Sequence, residues 1–172
     1  MNLANQQKVY VQTQIEIGDS LPLSIEDIQK CIDLSLKASM QESLLPFAVN
    51  IRIVGYDEIL ILNKHYKKEN LPTNVLAFEG NLEEEKSLDI QPPFLGDVII
   101  CFPVVEKEAM DQKKTFDRYF AHMLIHGFLH LLGFDHQNDK DQKIMQELEH
   151  ETLTNFMLQK MDQPYNIFEL KW

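Results

Sequence analysis

One stretch of the chain, AHMLIHGFLHLLGFDH at positions 121–136, holds four of the six histidines. Positions four apart lie on one face of an α-helix, so His126 and His130 direct their imidazoles towards one point. Gly133 follows three residues later and can end a helix in a left-handed conformation, after which the chain can turn His136 back to the same point. The spacing therefore predicts a three-histidine metal site on a helix and the turn after it.

Apolar residues surround these histidines on nearly every side of the predicted helix, which is typical of a buried helix. A buried imidazole needs a partner, because an unsatisfied buried polar group costs about 1–3 kcal/mol. One cation would satisfy several imidazoles at once; the alternative is a buried helix whose histidines bond to carbonyl groups. His122, one turn earlier, is expected to bond to a structural partner. Three protein ligands leave a coordination position open, as in catalytic zinc sites, and hydrolysis is the reaction expected there.

The rest of the chain alternates between strand and helix patterns. The predicted strands are 8–17, 47–54, 74–78 and 97–102. The predicted helices are 25–41, 57–66, 104–110, 115–132 and 139–161. We therefore expect residues 1–172 to form one metal-dependent hydrolase domain of the α+β class, with a mixed, mostly four-stranded sheet packed with helices. Within it, 80–93 is expected to be a mobile acidic loop, and 164–172 is a short tail.

Charge and composition limit the partners of the chain. The net charge of −11 argues against bulk electrostatic attraction to nucleic acid. Lys113, Lys114 and Arg118 still form a short cationic cluster just before the histidine helix, although ordinary solvated side chains explain such a cluster equally well. The sequence contains neither a run of eighteen apolar residues nor a signal-peptide pattern, so we expect a cytoplasmic protein without a membrane partner.

Gly127 separates this motif from the zinc proteases. Their pattern H-E-x-x-H-x-x-G-x-x-H carries a glutamate base where this chain has Gly127. A glycine can neither accept a proton nor orient a water molecule through a side chain. Hydrolysis of a peptide or a similar substrate by the route of those enzymes remains an alternative, but Gly127 argues against it.

Residues 126–136, HGFLHLLGFDH, closely resemble the H-G-x-L-H-L-x-G-Y-D-H signature of the YbeY family, the bacterial metal-dependent endoribonucleases of ribosomal RNA maturation. Three further blocks resemble the same family in the same order. They are NKHY at 63–66 followed by PTNVL at 72–76, then LGDV at 95–98, then VVEKEA at 104–109. The resemblance runs from about residue 60 to about residue 151.

This resemblance implies a zincin-like fold and one zinc ion held by His126, His130 and His136. It also implies a zinc-dependent endoribonuclease that cleaves single-stranded RNA. In that family the role is maturation of the 3′ end of the small-subunit ribosomal RNA, together with ribosome quality control. Ribosomal RNA and the ribosome or its small subunit are thus the implied partners, and DNA is not expected. A non-catalytic ribosome assembly factor with a structural metal is the alternative from another class of function.

Four residues outside the ligand set are further candidates for the site, and the resemblance assigns a role to the first of them. Lys67 stands where the family usually has arginine; it keeps the positive charge but loses the planar fork that binds a phosphate through two bonds. We expect Lys67 to steady the phosphate as a catalytic and substrate-binding residue. Asp135 is expected to orient a ligating imidazole or its water, unless it only caps the turn. Thr73 and Asn74 are expected to contact the substrate, although both are also ordinary turn residues.

Overall fold

The helix that carries the histidine pair lies against a four-stranded sheet in the computed structural model, which describes residues 8–18 and 20–161. The strands are Val9–Ile15 (β1), Phe47–Val54 (β2), Val75–Glu79 (β3) and Phe94–Cys101 (β4). The helices are Ile25–Ala38 (α1), Tyr56–Lys67 (α2), Leu82–Ser87 (α3), Phe102–Asp111 (α4), Phe116–Leu131 (α5) and Asp139–Met161 (α6). The predicted tail at 164–172 lies outside the described residues.

The sheet has the strand order β1-β2-β4-β3. β1 and β4 both run parallel to β2, whereas β3 runs antiparallel to β4 at the edge. Helix α1 makes the crossover between the parallel strands β1 and β2, as a parallel connection requires. The predicted α+β fold with a mixed four-stranded sheet is therefore confirmed.

Strand β4 is buried on both faces, as its continuous apolar run predicts. Val98 and Ile100 belong to the main core, which also contains buried side chains of α1, α5 and α6. Ile99 and Cys101 point to the opposite face, where they form a second apolar cluster with Ile59 of α2. The sheet is thus the middle layer, with α5 on one face and α2 on the other.

Gly127 allows α5 to approach the sheet closely. A Cβ atom at this position would lie 2.7 Å from Cγ1 of Val98 and 2.9 Å from Cγ2 of Val75. Both neighbours are β-branched and stiff, so they cannot move aside at little cost. A larger residue at position 127 would therefore push the helix away from β3 and β4. The packing at this position therefore disfavours the glutamate that zinc proteases carry here.

Gly133 ends α5 as the sequence predicts, with a φ of 93°. Its backbone N–H donates to the carbonyl of His130 at 3.0 Å, and the N–H of Phe134 donates to the carbonyl of Leu129 at 3.1 Å. This pair of bonds is the Schellman arrangement of a helix C-terminus. Phe134 then packs against the core, which anchors the start of the turn that carries the third histidine.

The prediction of a loop over 80–93 is wrong for Leu82–Ser87, which form the short helix α3. Leu82 packs against the main core, and the carboxylate of Glu85 accepts a hydrogen bond of 2.7 Å from the backbone N–H of Phe94, the first residue of β4. The acidic run is therefore fastened to the sheet by a tertiary bond that local periodicity cannot indicate.

Among residues 8–18 and 20–161, no helix combines the length and the apolarity needed to cross a lipid bilayer. The longest of them, α6, has 23 residues but carries charged side chains along its length.

Candidate metal centre

The three predicted ligands lie together beside the C-terminal end of α5. The ring centroid of His130 lies 4.7 Å from that of His126 and 5.1 Å from that of His136. One ring nitrogen from each residue lies within 4.8 Å of those of the other two. The Nε2 atoms of His126 and His130 are 3.1 Å apart. Two ligands of a tetrahedral zinc ion are about 3.3 Å apart when each bond is about 2.0–2.1 Å, so the spacing of this pair suits one metal ion.

The protonation state of His130 also suits a metal. His130 is half-buried, and burial lowers the pKa of its imidazole. The neighbouring charges of His126 and His136 lower that pKa further. A metal binds the neutral imidazole and not the imidazolium, so His130 is held in the form that binds. Three imidazole nitrogens are a donor set typical of a catalytic zinc site, and the residues therefore fit such an ion.

Glu149 of α6 fixes the orientation of His126. Its Oε1 atom lies 2.5 Å from Nδ1 of His126, and its Oε2 atom lies 2.9 Å from Nε2 of His122. A carboxylate only accepts hydrogen bonds, so Nδ1 of His126 carries the proton and Nε2 is the nitrogen left for a metal. Burial alone raises the pKa of the Glu149 carboxyl, but the bonds from His122 and then His126 outweigh burial and lower it to about 2.

Sequence reasoning missed Glu149 but predicted its bond partner His122 to have a structural role. The sequence carried no clear signal for it, because the buried face of α6, formed by Met145, Glu149, Thr152 and Phe156, includes two polar residues. A carboxylate on the buried face of a helix requires a partner, because an unpaired buried charge is costly. His122 and His126 supply that partner from the facing helix.

The other predicted site residues line the same cleft as the three histidines. This metal cleft has a volume of about 440 Å³. Its walls include Lys67, Thr73, Asn74, His126, His130, Asp135 and His136. Lys67 is the last residue of α2, and Thr73 and Asn74 lie just before β3, so three separate parts of the fold contribute to it. The structure thus brings together all seven residues that the sequence singled out.

Asn74 is held rigidly at the edge of the metal cleft. Its side-chain amide donates to Oε2 of Glu108 at 3.0 Å, and its Oδ1 atom accepts from the backbone N–H of Val75 at 2.7 Å. The hydroxyl of Tyr119 donates to the same Glu108 oxygen at 2.9 Å. Burial and then Glu108 raise the pKa of Tyr119 to about 12, so this phenol stays a donor. The network positions Asn74 before any substrate arrives.

Asp135 is partly exposed, and its Oδ1 atom accepts a hydrogen bond of 2.7 Å from the backbone N–H of His136. That backbone bond lowers the pKa of the Asp135 carboxyl, and the charges of His130 and His136 lower it further. The side chain therefore stabilises the turn that carries His136, as the turn-capping interpretation requires. It also places a negative charge close to the ligand set.

Comparison with known proteins shows the family of the chain. The family model described as Endoribonuclease YbeY matches residues 12–157. The chain is 36% identical over 159 residues to the "Endoribonuclease YbeY" of Xanthomonas axonopodis pv. citri, covering 90% of this chain and 94% of that one. It is 39% identical to the protein of the same name from Xanthomonas oryzae pv. oryzae, with the same coverage.

A relative from another genus is also similar to this chain. The "Endoribonuclease YbeY" of Stenotrophomonas maltophilia is 37% identical over 145 residues, which cover 84% of this chain and 85% of that one. Among solved structures, the solution structure of TM1509 from Thermotoga maritima has the same fold, with a TM-score of 0.56 and 24% identity over 91% of this chain and 94% of that one. The family match extends well beyond the histidine motif. On these grounds the chain belongs to the YbeY endoribonuclease family.

Proposed function

We propose that this protein is a cytoplasmic, zinc-dependent endoribonuclease that cleaves single-stranded RNA. The observation that carries the proposal is the convergence of three imidazoles in a cleft whose wall also holds the cation Lys67. The activity named for the relatives supports it. The close packing of Gly127 against Val98 and Val75 argues against the alternative of glutamate-assisted peptide hydrolysis.

A zinc ion held by His126, His130 and His136 would supply a Lewis acid that activates water and polarises a phosphoryl oxygen. The residues of the chain prepare the cleft for this chemistry. Glu149 orients His126, burial keeps His130 neutral, and Asn74 is fixed by Glu108 at the edge where a nucleotide would lie. Lys67 adds a positive charge that balances the charge of a phosphodiester.

We further infer that ribosomal RNA is the substrate, with maturation of the small-subunit 3′ end and ribosome quality control as the roles. Family membership supports this inference. A protein with a net charge of −11 repels free RNA on average. Cleavage then needs a local cationic path or a partner that delivers the strand, and the ribosome or its small subunit is such a partner.

The test of this function is metal removal. Purified protein with a measured content of about one zinc per chain is expected to cleave single-stranded fragments of ribosomal RNA. Chelation should reduce the rate to background, because the cleft then lacks its Lewis acid, and added zinc should restore it. Cleavage that survives complete chelation would contradict the proposal. A full zinc content without cleavage of any RNA fragment would instead favour the assembly factor with a structural metal.

The contribution of Lys67 is tested by substitution. Lys67→Ala is expected to slow RNA cleavage roughly 10- to 100-fold, since a positioned donor is lost from the phosphate. Lys67→Arg should keep or raise the rate, because guanidinium binds a phosphate through two bonds. Lys64→Ala is the matched control, since Lys64 is exposed on the same helix but does not line the metal cleft. Equal losses in Lys67→Ala and Lys64→Ala would contradict a specific role for Lys67.

A further inference from the structure

Two further hollows lie beside the metal cleft along α5. The first, of about 370 Å³, shares His126 and His136 with the metal cleft. The second, of about 310 Å³, shares His122 and Glu149 with the first. Because neighbouring hollows share wall residues, the three lie side by side along α5. We call the second hollow the outer groove; it is lined by Lys114, Arg118, Tyr119, His122, Gln146, Glu149, His150 and Leu153.

The outer groove is cationic, although the chain as a whole is acidic. Lys114 and Arg118 are exposed on its wall, and His150 adds a group that can be protonated. The carboxylate in its lining, Glu149, is already engaged by two imidazoles. Lys114 is held in place, since its Nζ atom donates to Gln112 at 2.8 Å and lies 5.4 Å from the ring centre of Tyr119. A fixed cationic surface of this kind suits an anion.

The guanidinium of Arg118 is available to bind an anion. Within residues 8–18 and 20–161, no carboxylate lies within 4.0 Å of it. The adjacent Asp117 is engaged elsewhere, because its Oδ1 atom accepts from the backbone N–H of Arg118 at 2.8 Å and its Oδ2 atom lies 3.6 Å from Nζ of Lys160. The planar fork of an arginine binds a phosphate through two parallel bonds.

Arg118 lies on the same side of α5 as the metal ligand His126. Arg118, His122 and His126 follow one another at intervals of four along α5, so they form a row on one side of the helix. Eight residues of helix separate Arg118 from His126, which is about 12 Å at 1.5 Å per residue. A strand whose reactive phosphate lies at the three histidines would have a neighbouring phosphate within reach of Arg118.

We propose that the outer groove binds a phosphate of the RNA strand away from the bond that is cleaved, with Arg118 and Lys114 as the anion-binding side chains. The inference rests on the proposed function, because it needs a strand whose reactive phosphate lies in the metal cleft. It gives an acidic protein a local path along which to hold RNA. Short substrates end before this groove, whereas longer ones reach it.

Cleavage kinetics on single-stranded RNA of increasing length test the proposal. The series runs from about 4 to about 16 nucleotides, the range of site sizes of compact single-strand-binding domains. In the zinc-loaded wild type, KM should fall once the strand is long enough to reach the outer groove. Arg118→Glu should raise KM about threefold to tenfold for long strands, with kcat unchanged and no effect on the shortest strands. The slope of log(1/KM) against log[salt] should become shallower by about 0.7 for each phosphate contact that is lost.

Lys37→Glu is the matched control, because it makes the same charge change on an exposed side chain of α1 that lines none of the three hollows. Arg118→Gln and Lys114→Gln, which remove the charge without reversing it, should give smaller effects with the same length dependence. Circular dichroism and zinc content verify folding in each variant. An effect that is the same at every RNA length, or the same in Arg118→Glu and Lys37→Glu, would overturn the inference while leaving the endoribonuclease activity intact. Failure of the wild type to cleave any RNA would overturn both.

Discussion

The His130→Ala variant is expected to lose its bound zinc and all RNA cleavage above background. Nε2 of His130 lies 3.1 Å from Nε2 of His126, so the two nitrogens form the closest pair of donors in the cluster. Catalytic zinc sites generally hold the ion with three protein ligands, and two imidazoles alone bind it far more weakly. Zinc per chain should therefore fall from about one to nearly zero after dialysis. Metal analysis and the cleavage rate on a ribosomal RNA fragment measure the two losses together.

His65→Ala is the matched control for this variant. His65 is exposed on α2 and lies outside the metal cleft, so the same chemical change there should leave zinc content and rate unaltered. Circular dichroism should be similar for both variants, since His130 is only half-buried. Equal cleavage by wild type and metal-free His130→Ala would mean that the activity comes from a contaminating nuclease, and the proposed function would then have no support from this assay.

The grouping of the three histidines could be predicted from sequence because every step is local. The interval of four places His126 and His130 on one helical face, and a glycine three residues after His130 permits the left-handed turn. The whole arrangement lies within 126–136 and depends little on how the rest of the chain packs. The strand β4 could be predicted for a similar reason, since its continuous apolar run reflects burial on both faces.

Features that depend on contacts between distant segments could not be predicted. Some apolar residues of α6 are not in the core, since Ile144 is 40% exposed and Leu158 is 55% exposed. The buried face includes the polar residues Glu149 and Thr152, which disguise it in the sequence. Glu149 meets His126 across 23 residues of chain, so only the packing of α5 against α6 shows that they are partners.

The walls of the metal cleft also depend on contacts between distant segments of the chain. Thr73 and Asn74 reach the histidines because β3 pairs antiparallel with the C-terminal part of β4, where the backbone N–H of Cys101 donates to the carbonyl of Asn74 at 2.8 Å. Lys67 reaches them because α2 ends at the same side of the sheet. Strand order does not follow from composition or periodicity. Only the family resemblance indicated these positions in advance.

The Glu149→Gln variant is expected to bind zinc 10- to 100-fold more weakly than the wild type, the usual cost of losing a hydrogen-bond partner behind a metal ligand. The carboxylate accepts from both His122 and His126 in the native protein. A glutamine can accept from only one of them, because its amide group is a donor and opposes the second ring N–H. His126 then either loses its orientation or loses the proton from Nδ1. In the second case Nε2 carries the proton and is no longer free for the metal. Competition with a fluorescent zinc chelator measures the affinity.

Glu147→Gln provides the comparison, because it removes the same charge from an exposed side chain two residues away on α6. Its zinc affinity should equal that of the wild type, which would exclude a general effect of net charge. At saturating zinc, Glu149→Gln should regain most of the wild-type cleavage rate, because Glu149 acts by positioning His126 and lies behind the ligand. Unchanged zinc affinity in Glu149→Gln would contradict this role. A rate that stays low at full zinc occupancy would show instead that Glu149 also acts on the RNA, since Glu149 lines both the outer groove and the hollow that adjoins the metal cleft.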